Sequence, residues 1–112
     1  MRLVSYQDRP VAFVAGGHVN LAPWIAVLEP DHPTRRWVIG LALFARGLEE
    51  GVIPGKYSPP RAEHYARCAL MPQDEFASLD DQDDVVLAEH FNVPLDQVAE
   101  RQLDLLFARD RM

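Results

Sequence analysis

The sequence predicts an α+β domain: a small N-terminal antiparallel sheet packed on a buried helix, followed by three C-terminal helices. Three observations predict it. Between Arg2 and Leu28 short segments rich in Val, Leu and aromatic residues alternate with turn residues, the mark of short strands. From Trp37 to Ala45 nearly every position is apolar, which suits a helix covered on most sides. Beyond Ser58 the apolar residues recur at spacings of three and four, the period of helices with one inward face.

The elements follow in order. Arg2 to Tyr6 and Val11 to Ala15 read as strands, with Asp8-Arg9-Pro10 as the turn between them. Gly16-Gly17 ends the second strand. Val19 to Leu28 is a third apolar segment, and Pro23 inside it marks an edge strand or a bend. Glu29-Pro30-Asp31-His32-Pro33-Thr34 is a boundary, with Thr34 or Asp31 as cap of the next helix. That helix runs from Arg35 to about Glu50, and Gly51 supplies its stop. Gly51 to Pro60 holds two Gly and three Pro residues and reads as loop.

Ser58-Pro59 is a cap followed by a first-turn proline. The helix it starts runs to about Met71, because Pro72 restricts the residue before it and lacks a donor. Its expected inward stripe is Ala62, Tyr65, Ala66 and Ala69. Two helices close the chain, roughly Asp83 to Phe91 and Leu95 to Ala108. The expected stripe of the last is Leu95, Val98, Ala99, Leu103 and Leu106.

A chain of 112 residues suits one domain, residues 1–112, with a core that needs no disulfide or metal to fold. The single cysteine, Cys68, rules out an internal disulfide and points to a reducing, cytoplasmic compartment. The N-terminal residues lack the apolar core and cleavage site of a signal peptide. The longest apolar run, Trp37 to Ala45, is about half of a membrane crossing, so no membrane partner is expected. A net charge of −6 argues against nucleic acid as a partner, because phosphate contact needs clustered Lys and Arg. The acidic run Asp74 to Asp84 reads as a solvated turn leading into a helix. Arg35, Arg36, Arg46, Lys56, Arg61 and Arg67 spread over too many turns to form a basic patch.

Candidate chemistry is sparse. The four histidines are His18, His32, His64 and His90; no two stand four apart, so there is no HExxH. The best metal-like pair is His64 and Cys68, four apart on one helix face, with Glu63 beside them. Two ligands fall short of the three or four that a zinc site needs. The plain reading is a surface histidine beside a small, half-buried cysteine. The same pair can be drawn as thiolate and imidazole, although mid-helix cysteines more often pack than react. Ser5, Ser58 and Ser78 lie in no G-x-S-x-G context. The carboxylates of Asp80-Asp81 and Asp83-Asp84 face water, where nothing separates their acidities. No cofactor is expected.

Tyr65-Ala66-Arg67-Cys68-Ala69-Leu70-Met71-Pro72 resembles the F-A-A-x-L-L-M-P segment of the ImmA/IrrE family of metallopeptidases. Leu87-Ala88-Glu89-His90-Phe91-Asn92-Val93-Pro94 is similar to that family's L-A-x-x-F-x-V-S, and Val98-Ala99-Glu100-Arg101-Gln102-Leu103 to its a-v-x-x-R-L helix. The resemblance implies a minimal zincin-like fold. It places the family's two zinc-binding histidines on Leu41 and Ala45 and its catalytic glutamate on Ala42, with Trp37 at the preceding aromatic position. The family's acidic third ligand falls near Pro59-Pro60-Arg61, and Glu63 is out of register with it. A degenerate HExxH of this kind implies a frame without its zinc chemistry. Because buried His and Glu without a metal would lack partners, apolar replacements remove a free-energy cost.

The family works beside helix-turn-helix repressors in phage, mobile elements and stress responses. The resemblance therefore implies a non-catalytic, protein-binding or regulatory module, with such a regulator as its protein partner. Two other readings compete. One is a metal-dependent hydrolase with a displaced site built from His32, Glu63, His64 and Cys68. The other is a DNA-binding regulator whose last two helices form a helix-turn-helix bearing Arg101, Arg109 and Arg111.

Overall fold

The computed structural model describes residues 1–79 and 81–110, with the side chains of 108–110 excepted. Three antiparallel strands, β1 (Arg2–Tyr6), β2 (Arg9–Ala15) and β3 (His18–Leu21), form one sheet in that order. Six helices follow among the described residues: α1 (Pro23–Ala26), α2 (Pro33–Glu49), α3 (Pro59–Leu70), α4 (Gln73–Ser78), α5 (Asp84–Phe91) and α6 (Leu95–Asp110). The fold is α+β, as the sequence predicts, with α1 and α4 as short helices that the sequence reading leaves out.

Both hairpins turn on two residues. Gly16 and Gly17, at φ +57° and +78°, join β2 to β3, with Ala15 opposite His18. Positive φ at both central residues matches the twist of the strands they connect. The first hairpin turns on Gln7 and Asp8, at φ +53° and +62°, one residue earlier than expected. Arg9 and Pro10 therefore belong to β2, where Pro10 pairs with Ser5 across a register shift at Val4/Ser5. Proline is tolerated there because β3 pairs only with Ala12 to Ala15, so the missing donor breaks no ladder bond on that side. Pro23 opens α1 and ends the third apolar segment as a strand.

One face of the sheet packs on α2. Val4, Tyr6, Val11 and Val14 meet Trp37, Val38, Leu41, Ala42, Phe44 and Ala45 in a single buried cluster. The cap of α2 is His32, whose Nδ1 accepts from the backbone N–H of Thr34 at 3.1 Å. Neither Thr34 nor Asp31 caps it, because Pro33 already holds the first helical position. On its other side α2 crosses α3 closely: a Cβ on Gly40 would stand 3.0 Å from Cβ of Ala66.

A second buried cluster joins Met71, Phe76, Leu87, Phe91, Val93 and Val98, and Leu70 packs against both clusters. Phe76 stacks on Phe91 with ring centroids 5.7 Å apart, so α4 is held by an aromatic anchor within the acidic stretch. Asp83 caps α5 by accepting from Val86 N–H at 2.9 Å. Asn92, in the left-handed region at φ +56°, ends α5. Arg36 of α2 donates to the carbonyls of Phe91 and Asn92 at 2.6 and 2.8 Å, tying the two clusters together at that helix end. Asp80 and Arg111, both named above, lie outside the described residues, as does the side chain of Arg109.

The Gly40–Ala66 crossing yields a direct expectation. Gly40→Leu should force α2 and α3 apart and destabilise the protein by ~1–3 kcal/mol, the usual range for overpacking. Urea unfolding at equilibrium measures it; an unchanged midpoint contradicts the close crossing.

Candidate functional site

The three positions that the ImmA/IrrE resemblance assigns to zinc chemistry lie in the dry core. Leu41 is 1% exposed, Ala42 0% and Ala45 2%. Ala45 also borders a surface groove of about 440 Å³ that touches Arg2, Glu49, Lys56 and Tyr57. Arg2 stacks over the Tyr57 ring at 4.6 Å, and burial raises the Tyr57 pKa above its ordinary value, with Arg2 pulling it down. Side chains as covered as Leu41 and Ala42 leave no room beside them for the open coordination position that catalytic zinc requires.

The chemistry-bearing residues instead gather between α3 and α6. Arg67 is buried and grips Asp104 with two nitrogens, Nε to Oδ2 at 2.7 Å and Nη2 to Oδ1 at 3.1 Å. Its Nη1 donates to Gln97 Oε1 at 3.3 Å. Arg101, 4% exposed, donates from Nε to the Met71 carbonyl at 3.0 Å and thereby satisfies the end of α3. The bidentate fork and the helix-end carbonyl are what guanidinium geometry recognises best.

At the solvent edge of this cluster sit His64 and Cys68. Cys68 Sγ lies 3.5 Å from His64 Nε2 and 3.5 Å from Arg101 Nη1. The other ring nitrogen, His64 Nδ1, lies 3.4 Å from Asp104 Oδ2. The helical spacing brings the sequence-predicted pair together, and Cys68 is exposed where the sequence reading has it half-buried. Both open on a groove of about 450 Å³ walled by Phe44, Ile53, Arg61 and Tyr65. Phe44 and Tyr65 face each other at 5.5 Å, and Arg61 stacks over Phe44 at 5.2 Å.

Glu63 does not join them. It is half-buried on the adjacent face of α3, where burial raises its pKa against the pull of Arg67, with Glu100 and Asp96 raising it further. Nearby, Tyr6 donates to Asp96 at 3.2 and 3.3 Å, and burial followed by the Asp96 charge pushes its pKa up to about 12. His32 stands apart at the start of α2. Among the described residues no three His, Cys, Asp or Glu side chains converge on a point that would hold a metal ion. A cation beside Cys68 would also meet the Arg101 guanidinium, which repels it.

Two expected stripes need correction. On α3, Ala62 and Ala66 face inward, but Tyr65 and Ala69 are exposed and Arg67 takes the inward place. On α6, only Val98 of the expected stripe is buried. Leu95, Leu103 and Leu106 are 52, 45 and 51% exposed, and Ala99 is exposed too. The covered face of α6 is Gln97, Val98, Arg101, Asp104 and Leu105. A partly polar face wins because α3 presents Arg67 to it. The signal was readable in principle: Gln97, Arg101 and Asp104 recur at helical spacing.

Two more arginines also act as staples, with Arg35 bonded to the carbonyls of Ala26 and Leu28 and Arg61 to those of Lys56 and Pro54. With Arg101 buried, the described solvent face of α6 is acidic, amide or apolar, a poor match for phosphate. No helix among the described residues is long and apolar enough to cross a membrane. No protein-family model, curated protein or solved structure matches the chain.

The cluster makes two measurable demands. Asp104→Ala leaves two buried guanidinium groups without their carboxylate and should destabilise the protein by ~3 kcal/mol in thermal or urea unfolding. Tyr6, whose pKa burial and Asp96 push up from the ordinary 10 to about 12, should add stability that is complete below pH 10 and lost as pH rises toward 12. Stability measured across that interval should fall less steeply in Tyr6→Phe than in wild type.

Proposed function

We propose that the chain is a non-catalytic, protein-binding module of ImmA/IrrE-like build, which docks a basic amphipathic helix of a regulator on the outer face of α6. One observation carries this reading: Leu95, Leu103 and Leu106 stand on one side of α6 with about half of each side chain in water. Spacings of eight and three residues put them within one stripe of a helix. Exposed apolar residues gathered on one side of an element mark candidate interaction sites.

The surroundings favour a particular partner. At the start of α6 the stripe runs into a groove of about 460 Å³ between α5 and the beginning of α2, lined by Pro33, Val85, Ala88, Val93, Pro94 and Leu95. Acids flank it: Glu89 in the groove, Asp84 held by Gln102 along one edge, Asp96 and Glu100 along the other. An apolar stripe between carboxylates complements a helix whose leucines are flanked by Lys and Arg. Helix-turn-helix regulators, the partners that the resemblance implies, are basic for their own reasons. The burial of Leu41, Ala42 and Ala45 supports the non-catalytic half of the reading.

Synthetic amphipathic helices test it. A leucine-striped peptide with Lys/Arg flanks should bind the full chain, by fluorescence anisotropy, and its Glu-flanked counterpart should not. Leu103→Glu with Leu106→Glu should abolish binding while leaving the melting temperature nearly unchanged, because both sites are exposed. Equal binding of both peptides, or indifference to the double substitution, overturns the docking face. Stoichiometric zinc in the purified protein, lost in His64→Ala, would favour the displaced metal hydrolase instead.

A further inference from the structure

We propose that Cys68 is a nucleophilic thiol that exchanges with small disulfides bearing an aromatic or apolar body and a carboxylate. The proposal is independent of the docking face on α6 and rests on the arrangement around the sulfur. Four groups from two helices meet there: Cys68, His64, Asp104 and Arg101.

Each has a distinct task. The Asp104 carboxylate beside Nδ1 favours the imidazole tautomer with its proton on that nitrogen. Nε2, 3.5 Å from the sulfur, is then the free acceptor for the thiol proton. Arg101 is buried, and its Nη1 has Asp104 Oδ2 only at 3.8 Å, beyond hydrogen-bond reach, so the Cys68 sulfur is its nearest partner. A guanidinium so placed stabilises the negative charge that an attacking sulfur carries. It also discriminates, since the same positive charge disfavours a metal cation at the thiol. Arg67 and the half-buried Glu63 complete the charged groups near the cluster, and Arg67 is already engaged by Asp104.

The neighbouring groove defines the substrate. Its walls are the Phe44 and Tyr65 rings and Ile53, which suit an apolar or aromatic body. Arg61 at the rim, its Nη groups held by the neutral Lys56 and Pro54 carbonyls, adds a positive charge that attracts a carboxylate through the field rather than through a free fork. Exchange would proceed with Cys68 giving its proton to His64 Nε2 while its sulfur bonds to one sulfur of the disulfide. The disulfide's own S–S bond breaks, and its electron pair leaves with the second sulfur. His64 then returns the proton to that thiolate. Cys68 is oxidised to a mixed disulfide, and half of the incoming disulfide is reduced to free thiol.

Because Cys68 is the only cysteine, reagent kinetics on the full chain report on it alone. The probes are dithiobis-nitrobenzoate, which is aromatic and anionic, and neutral dithiodipyridine. Folded protein should react with the anionic reagent about tenfold or more faster than the same chain unfolded in urea. His64→Gln, at an exposed position, should lose most of that advantage while circular dichroism shows the fold intact. Arg61→Gln should slow the anionic reagent more than the neutral one. Intact mass should show one adduct, absent in Cys68→Ser. Folded protein reacting no faster than unfolded, or His64→Gln reacting at the wild-type rate, overturns the assignment. Equal slowing of both reagents by Arg61→Gln overturns the carboxylate preference.

Discussion

Arg67 reaches out of α3 to hold Asp104 of α6 with two nitrogens, in surroundings where both side chains are largely shielded from water. Buried charge needs a partner in good geometry, so this contact fixes where α6 lies and which side it turns inward. Other features follow from that orientation. Val98 enters the second core cluster, Arg101 reaches the Met71 carbonyl at the end of α3, and Gln97 fills in beside Arg67. The leucines on the far side of α6 are left in water. Both the thiol cluster and the proposed docking face are therefore set by one ion pair.

The division of polar and apolar residues inside the molecule is also informative. On α2 the positions that the proposed resemblance would give to two zinc-binding histidines and a catalytic glutamate are Leu41, Ala45 and Ala42, and the helix is packed by the sheet on one side and α3 on the other. Histidine and glutamate there would need a metal and supporting hydrogen bonds, and the close Gly40–Ala66 crossing leaves little room for either. Between α3 and α6, by contrast, the polar groups are mutually satisfied. Two buried polar atoms have no partner among the described residues, the Trp37 indole N–H in the first core and Arg35 Nε at the start of α2. The interior of the first cluster is in this sense a plain hydrophobic core, and ionic chemistry is confined to its boundary with the second.

Much of this was legible in the sequence because local rules governed it. The paired glycines, the Ser58 cap with its prolines, and the apolar run of α2 all act over a few residues, and each element they predict is present. The first hairpin shifted by one residue because Gln7 accepted a left-handed conformation that its type does not advertise. The site was legible only in part. His64 and Cys68 share a helix face by spacing alone, but Asp104 and Arg101 come from a helix more than thirty residues away. No periodicity argument joins two such helices. The α6 stripe failed for a related reason: apolar spacing finds the core side only when that side is apolar, and here a buried arginine opposite it reversed the preference.

The two faces of α6 follow from a balance between its leucines and its buried ion pair. Reversing the helix to cover Leu95, Leu103 and Leu106 would recover on the order of 1 kcal/mol for each half-exposed leucine. It would also strand Arg67, and breaking a buried pair costs roughly 3–5 kcal/mol. The observed orientation is thus the stable one for the isolated chain, and the uncovered leucines are its consequence. Leucines at these sites still call for an explanation, since Lys or Glu would serve a solvated helix face equally well and improve solubility. A partner that covers them supplies one.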